Sequence, residues 1–264
     1  MHEPRFSKDL ATLDMLKDRL AAMRPLSQGE LKRLRDEFAI ENTYNSNAIE
    51  GNTLTLRETA LVLQEGVTIA GKPLKDHLEA VGHRDAFQYV LSIADASEPL
   101  IERRIKEIHT LVLMNDAMHK GVYRNVPVQI LGAVHTPPPP YLVAEQMEEL
   151  IADYDTMKRE HHIIEAIAEF HLRLEGIHPF IDGNGRTGRL IMNLELLKAR
   201  FLPVNIKYID KDKYYDCFDD YYANDHTPDT LTELIIGYEM AELERFIKII
   251  ESANGTTTGA GGTR

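Results

Sequence analysis

The stretch from Ile177 to Leu190 reads Ile-His-Pro-Phe-Ile-Asp-Gly-Asn-Gly-Arg-Thr-Gly-Arg-Leu and lies between two runs of helical periodicity. Gly183, Asn184 and Gly185 fall where the second helix begins, so the backbone can turn sharply and let an anion approach. The free N–H groups of that helix's first turn then point at the anion. Arg186 and Arg189 lie three residues apart and offer bidentate partners for phosphate oxygens. The stretch therefore predicts a phosphate site between two helices.

Two further side chains of this stretch carry chemistry. Asp182 is its one acid, and a lone carboxylate beside a polyphosphate suits a bridging Mg²⁺. His178 has an ordinary pKa near neutrality and suits removal of a proton from an attacking hydroxyl. The alternative is a plain Gly-Asn-Gly turn with a loop histidine. That alternative leaves the joint presence of His, Asp, Asn and two Arg unexplained, so nucleotide chemistry is favoured.

The twelve residues from His178 to Arg189 resemble the Fic-family signature His-Pro-Phe-x-Asp-Gly-Asn-Gly-Arg-x-x-Arg at every defining position. The resemblance implies an α-helical fold, Mg-ATP as cosubstrate and transfer of AMP to a Ser, Thr or Tyr hydroxyl of a protein. It further implies that His178 is the base, that Asp182 is the Mg²⁺ ligand, and that Phe180 anchors the loop in the core. The implied ATP contacts within the signature are Asp182, Gly183, Asn184, Gly185, Arg186, Thr187, Gly188 and Arg189, of which Arg189 meets the γ-phosphate.

An upstream motif, Ser46-Asn-Ala-Ile-Glu-Gly-Asn52, resembles the inhibitory motif [Ser/Thr]-x-x-x-Glu-[Gly/Asn] of the same family. The resemblance implies inhibitory roles for Ser46, Glu50 and Gly51. Glu50 would pair with Arg189 and occupy the γ-phosphate position, so that ATP binds in a non-productive pose. The alternative for Glu50 is a solvated helix-end glutamate. The downstream signature favours inhibition.

The stretch from Gly121 to Tyr141 combines β-branched residues with four prolines at positions 137 to 140, which predicts a small β-hairpin with an open edge. It resembles the flap of the family. An open edge can take an extended target segment as an added strand. The residues expected to line the nucleotide are Gly132, Ala133, Val134 and His135. A purely structural hairpin is the alternative.

Farther along, Lys213-Tyr214-Tyr215 resembles a family segment whose tyrosines border the adenine, and Asn224 is a further candidate. The alternative is that these tyrosines are core residues, since Tyr215, Tyr221 and Tyr222 have helical spacing. His109 and His171 are interpreted as buried packing residues.

The fold class predicted is all-α, a Fic-type helical domain with one small hairpin. Capping boxes at Ser27 and Thr55 begin two of its helices. Helices are expected at about 27–49, 55–63, 77–94, 100–114, 142–158, 163–174, 186–200 and 228–253. The expected organisation is an N-terminal helical segment (1–26), an inhibitory helix and motif (27–52), a Fic core (53–253) and a disordered tail (254–264).

Composition narrows the partners. The chain has 42 acidic and 30 basic residues and a net charge of −12, which argues against DNA or RNA, because phosphate backbones need a basic face. The single cysteine, Cys217, excludes a disulfide or a multi-thiolate metal site within one chain. No apolar run is long enough for a signal peptide or a membrane span, so a cytoplasmic protein without membrane contact is expected.

The leading hypothesis is an autoinhibited protein adenylyltransferase (AMPylase) that uses ATP and Mg²⁺ on a target protein bound along the hairpin, with self-modification included. Three alternatives stay open. The enzyme could hydrolyse AMP from a modified protein, with Glu50 orienting water. It could transfer a different group, although the intact signature counts against this. It could also be a non-catalytic nucleotide-binding module, although His178 and Asp182 count against that. A homodimer that holds the inhibitory helix in place is compatible with the sequence.

Overall fold

The computed structural model of the protein describes residues 5–23, 27–94, 98–130 and 132–255. Within these ranges the regular structure consists of ten α-helices and two 3₁₀ turns, at Pro140–Leu142 and Tyr208–Asp210, with no β-strand. The predicted all-helical class is therefore confirmed. The helices are α1 (Ser7–Ala22), α2 (Gln28–Ile49), α3 (Leu56–Glu65), α4 (Leu74–Ile93), α5 (Glu102–Val112), α6 (Val143–Glu160), α7 (Ile163–Ile177), α8 (Asn184–Lys198), α9 (Lys211–Ala223) and α10 (Asp229–Gly255).

Local capping signals determine where α2 and α3 begin. The Ser27 hydroxyl accepts a hydrogen bond from the Glu30 amide, and the Glu30 carboxylate accepts one from the Ser27 amide. Thr55 and Glu58 repeat the arrangement at the start of α3. Both capping boxes predicted from the sequence are confirmed, because each satisfies amides that a helix start leaves unpaired.

Helix α8 is the central element of the packing. Twelve of its fifteen residues are buried, and it packs against α2, α4, α5 and α7. Because α8 is surrounded in this way, its polar residues Asn184, Arg186 and Asn193 are buried along with its apolar ones. Its first turn, with the loop that precedes it, consequently lies where four helices converge. The loop from His178 to Gly183 connects α7 directly to α8.

The predicted β-hairpin at Gly121–Tyr141 is wrong for the described residues, which form irregular backbone up to the turn at Pro140. The physical reason is that its backbone groups find other partners. The Arg124 amide donates to the carbonyl of Pro179, the Val134 amide donates to the Asp219 carboxylate, and Pro127 has no amide to offer. The residues around Leu131, itself outside the described ranges, therefore have no ladder to join. We call residues 126–138 the cover segment below.

One apolar core extends from α1 to α10 and includes Leu13, Ile49 and Leu243. A smaller cluster of Leu54, Val62 and Ala80 lies between α3 and α4. Helix α2 thus shares a core with the helices that follow it. The expected tail at 254–264 overlaps the end of α10 at Gly255, and residues 256–264 lie outside the described ranges. In the part of the chain that the structure describes, no helix combines the length and apolarity that a membrane crossing requires.

Candidate active site

His178 ends α7 in the left-handed conformation, with φ 49° and ψ 60°. Its Nδ1 lies 3.3 Å from the carbonyl oxygen of Glu175. A carbonyl can only accept, so Nδ1 carries the hydrogen and Nε2 keeps a lone pair. Burial lowers the pKa of His178, and the Arg124 cation lowers it further, while the Glu175 carbonyl, Glu50 and Asp182 oppose the shift. The imidazole is therefore neutral and ready to accept a proton at Nε2.

Asn184 fixes the shape of the loop. Its Oδ1 accepts from the Phe180 amide and its Nδ2 donates to the Phe180 carbonyl, both at 2.9 Å. Gly183 adopts φ 79°, a conformation that favours glycine. The sequence predicts Asn184 as a phosphate ligand, and in this structure both groups of its side chain bond the loop itself. Asn184 therefore holds the loop in the shape that leads into the first turn of α8.

His109 fixes the loop through hydrogen bonds and ring stacking. Its Nδ1 accepts from the Gly121 amide at 2.8 Å, so its Nε2–H donates to the Asp182 carbonyl at 2.9 Å. Its ring stacks on Phe180 with centroids 3.6 Å apart. Burial lowers the pKa of His109 to about 4, which keeps this tautomer neutral. His109 is buried as expected, and it additionally joins α5 to the loop.

Arg186 and Asp182 form a cluster beside α4. Arg186 is almost completely buried, and its guanidinium lies 3.2 Å from Glu79 and 3.1 Å from Asp182 Oδ1. The other oxygen, Asp182 Oδ2, lies 3.8 Å from Lys75 Nζ. The Asp182 side chain is about half exposed. Arg186 therefore anchors the loop to α4, and Asp182 presents one carboxylate oxygen toward solvent.

Arg189 bonds the end of α2. Its Nη2 donates to Glu50 Oε1 at 2.8 Å and to the Ser46 carbonyl at 2.9 Å, while its Nε donates to the Ser46 hydroxyl at 3.0 Å. Gly51 follows with φ 90° and turns the chain away. Arg189 is buried, and the pair with Glu50 expected from the sequence is present. Two of the three inhibitory candidates are thus bound to one guanidinium.

Two tyrosines of α9 contact the same region. The Tyr215 hydroxyl donates to the carbonyl of Ile49, the residue before Glu50, at 3.2 Å. The Tyr214 hydroxyl lies 2.7 Å from His171 Nε2 and 3.5 Å from Arg189 Nη1. Tyr214 is buried and Tyr215 is partly exposed. Helix α9 therefore contacts both the end of α2 and Arg189, which bonds it.

A cavity of about 340 Å³ opens beside His178 and Arg189. Its walls are formed by Glu50 at the end of α2, the cover segment, the end of α7, the start of α8 and one face of α9. The lining residues are Glu50, Ile130, Gly132, Ala133, His135, Glu175, Gly176, His178, Gly185, Arg189, Tyr214, Tyr215, Phe218, Asp219 and Tyr222.

Several predicted site residues lie elsewhere. Asn224 is exposed and donates to Asp220, and the Val134 side chain points to solvent. Thr187 is fully buried, and Gly188 packs against Glu175 so closely that a side chain there would clash. Along with these, Asp182, Gly183, Asn184 and Arg186 do not line the cavity, although they shape the loop that does.

The sequence did not predict six of the lining residues: Ile130, Glu175, Gly176, Phe218, Asp219 and Tyr222. The three that belong to α9 share a face with Tyr214 and Tyr215, and that helical spacing was a usable signal. Glu175 is the more unusual. Its Oε1 has no hydrogen-bond partner within the described ranges, and burial raises its pKa to about 8. The nearby Glu50 carboxylate adds to the shift, while Arg189 opposes it.

Residues 99–196 match the model of the Fic/DOC family. A protein adenylyltransferase Fic from Nematostella vectensis is 36% identical over 214 residues, which cover 78% of this chain and 48% of that protein. The chain thus spans about half the length of that curated relative.

Solved structures agree over most of the chain. A Fic-domain-containing signaling protein from Bacteroides thetaiotaomicron has a TM-score of 0.81 at 29% identity, covering 93% of this chain and 97% of that one. Fic-1 (residues 134–508) from C. elegans has a TM-score of 0.81 at 28% identity, covering 93% and 73%. The residues that match the family model include the loop from His178 to Gly183 and the helices on either side of it. The chain therefore belongs to the Fic/DOC family through the domain at residues 99–196.

Proposed function

We propose that this protein is an adenylyltransferase that moves AMP from ATP to a hydroxyl of a protein. The observation that carries the proposal is the His178 imidazole, whose Nδ1 is fixed by a carbonyl and whose Nε2 makes no hydrogen bond to the described residues. It lies beside a cavity that Arg189 also lines. The relatives at about 35% identity are named protein adenylyltransferases, which supports the same activity and ATP as cosubstrate.

The proposed reaction is an in-line displacement at the α-phosphorus. His178 Nε2 takes the proton of the target hydroxyl as that oxygen bonds to phosphorus, and the bond to pyrophosphate breaks. The amides at the start of α8 have no partners within the helix and point toward the phosphates, aided by the helix dipole. Most of the acceleration then comes from positioning and from neutralising charge.

Asp182 is the proposed Mg²⁺ ligand. Among the described residues no group of three or more His, Cys, Asp or Glu side chains is arranged around a common metal position. Mg²⁺ commonly uses one or two carboxylates and completes its shell with water and phosphate oxygens, so the single accessible Asp182 Oδ2 fits that role. When bound, the ion would neutralise charge on the phosphates. Lys75 is the neighbouring cation that it would meet.

The proposed resting state is autoinhibited. Arg189 is the residue that the family resemblance assigns to the γ-phosphate, and Glu50 and Ser46 occupy its guanidinium. Breaking a buried ion pair is costly unless another anion replaces the partner. ATP must therefore displace Glu50 or bind without Arg189, and the second pose leaves the α-phosphorus out of line with His178.

Hydrolysis of AMP from a modified protein is the second candidate function, and one observation favours it. Glu50 lines the same cavity as His178, so its carboxylate can orient a water molecule there. Water oxygen would then bond to phosphorus while the protein–oxygen bond to phosphorus breaks. Incubation of an AMP-modified target with wild type and Glu50→Gly separates the two functions, because only hydrolysis requires Glu50.

The partner we propose is a protein segment that lies along residues 121–141, with the protein's own hydroxyls among the targets. The absence of strand pairing in the described part of this region means that docking does not rely on an existing β-ladder. A homodimer that braces α2 is also part of the proposal.

The transfer is tested with ATP labelled at either the α- or the γ-phosphate, using Glu50→Gly with Mg²⁺ as the least restrained form. Label from the α-phosphate should remain on protein, and label from the γ-phosphate should leave with pyrophosphate. Glu50→Gly/His178→Ala should bind ATP but transfer nothing. Retention of γ-label would instead identify phosphoryl transfer, and transfer by the double variant would remove His178 from its role.

A further inference from the structure

The cover segment (126–138) is closed at its base by one side chain, Arg124. The Arg124 guanidinium donates from Nη1 to the carbonyl of Val126 at 3.1 Å and from Nη2 to the carbonyl of Pro138 at 2.6 Å. These two carbonyls belong to the first and last residues of the segment. The segment therefore leaves and rejoins the body of the protein at a single guanidinium.

The same guanidinium also bonds the end of α7. Nε donates to the carbonyl of His178 at 2.8 Å, and Nη2 donates to the carbonyl of Ile177 at 3.3 Å. The Arg124 backbone amide donates to the carbonyl of Pro179 at 2.9 Å. Three consecutive carbonyls around the proposed base are thus bound by one residue.

Arg124 is a buried cation whose partners are all carbonyls. Only 4% of its surface is exposed, and within the described ranges no carboxylate lies close enough to form an ion pair with it. Burial of a charge without an opposite charge is costly. The last carbonyls of α7 offset that cost, because they carry the negative end of the helix dipole and have no partners inside the helix.

We propose that Arg124 is a positioning residue that holds the main chain of His178 and the base of the cover segment in one fixed relation. The base and the wall formed by Ile130, Gly132, Ala133 and His135 then keep their separation when nucleotide enters. For its effect on activity this inference rests on the proposed transfer reaction. Its structural part, the closure of the segment, does not.

A lysine at position 124 could not make the same set of hydrogen bonds. A guanidinium presents five N–H donors in a rigid fork, whereas an ammonium is a point charge with three donors on one atom. Arg124→Lys should keep the nearby charge and lose the closure, and Arg124→Gln should lose both. The matched control is Arg173→Gln, on the same helix as Glu175, because Arg173 instead pairs with the Asp153 carboxylate at the surface.

Limited proteolysis without nucleotide tests the closure independently of activity. Cleavage within 126–138 should become at least about tenfold faster in both Arg124 variants, because both lose the paired hydrogen bonds to the carbonyls of Val126 and Pro138. Circular dichroism and amide exchange in α8 should stay as in the wild type. Unchanged cleavage in Arg124→Lys would overturn the closure, whatever the activity of the protein turns out to be.

The pH profile of AMP transfer in the Glu50→Gly background tests the link to His178. Besides Arg124, the groups that face His178 are the Glu175 carbonyl, Asp182 and, in the wild type, Glu50. Because the Arg124 cation lowers the pKa of His178, Arg124→Gln should move the acid limb of kcat/KM to higher pH, and Arg124→Lys should leave the limb in place while lowering kcat. A kcat in Arg124→Lys equal to that of its parent would contradict the positioning role.

Discussion

At the scale of single residues, the state of His178 follows from one carbonyl and from burial. Its Nδ1–H is held by Glu175, which leaves Nε2 as the only site for a proton. Asn184, by contrast, spends both side-chain groups on Phe180. His178 and Asn184 belong to one signature but differ in role. Only their contacts distinguish the side chain that we propose as the base from the side chain that holds the loop.

The lowered pKa of His178 predicts the pH dependence of transfer. A histidine whose pKa is below its ordinary 6.5 stays neutral, and therefore basic, at lower pH than a free imidazole. The acid limb of kcat/KM for Glu50→Gly should consequently lie below pH 6.5, because that variant also lacks a carboxylate that raises this pKa. An acid limb above pH 6.5 would show that another group accepts the proton.

Tyr215 offers a prediction about restraint. Its hydroxyl satisfies the Ile49 carbonyl at the end of α2, and Tyr215→Phe removes only that bond. Loss of about 0.5–1.5 kcal/mol should raise AMP transfer by about two- to tenfold in the wild-type background. The control is Tyr208→Phe, since Tyr208 bonds α2 through its backbone amide. The same increase in a Glu50→Gly background would mean that Tyr215 does not act through the inhibitory helix.

At the scale of elements, the loop and α8 form a unit whose shape depends on Asn184. Asn184→Ala would leave the buried amide and carbonyl of Phe180 without partners, and we expect a loss of about 2–4 kcal/mol in the free energy of unfolding. Urea denaturation measures this loss. Asn224→Ala, a change of an exposed asparagine, should cost less than about 0.5 kcal/mol. Similar losses in the two variants would contradict the role given to Asn184.

Elements with local signals could be predicted from the sequence, and those with distant partners could not. Helices α2 and α3 begin at the predicted residues because Ser27 and Thr55 bond amides three residues away. The hairpin at 121–141 failed because the amides of Arg124 and Val134 donate to Pro179 and Asp219, which lie outside the segment. The β-branched residues favour extended backbone, but they do not determine which groups that backbone will form hydrogen bonds with.

At the scale of the whole molecule, a buried carboxyl makes stability depend on pH. Glu239 is fully buried in α10, and its Oε1 accepts from the Leu202 amide at 2.8 Å. Burial raises its pKa to about 8 from an ordinary 4.5, so the folded state holds a proton that the unfolded state releases. The free energy of unfolding should therefore fall as pH rises from about 4.5 to 8.

Glu239→Gln tests this sign. The amide keeps an acceptor for Leu202 and cannot ionise, so the loss of unfolding free energy between pH 6 and pH 9 should be smaller than in the wild type. Part of the loss should persist, because the pKa of Glu175 is also raised to about 8. Urea denaturation at the two pH values measures the difference. Equal losses in the variant and the wild type would mean that Glu239 is charged when buried.

The site as a whole could be predicted only in part. The signature and the Glu50 motif are each an unbroken stretch of sequence, and the structure brings Glu50 to Arg189 as expected. Glu175 and Tyr222 reach the cavity because α7 and α9 pack around it, and neither belongs to a motif. Residues that a fold assembles from separate helices leave no continuous pattern in the sequence. For that reason the two motifs could be predicted, whereas Glu175 and Tyr222 could not.

The measurement that tests the central claim most directly is the rate of AMP incorporation from α-labelled ATP in Glu50→Gly relative to wild type. The matched control is Glu41→Gln, a charge change on the same helix at a surface pair with Lys207. If Glu50 restrains a complete site, incorporation should rise by about tenfold or more in Glu50→Gly, since even 1.4 kcal/mol of lost restraint gives a factor of ten. It should stay unchanged in Glu41→Gln. Equal rates in Glu50→Gly and wild type, with ATP still bound, would contradict the account.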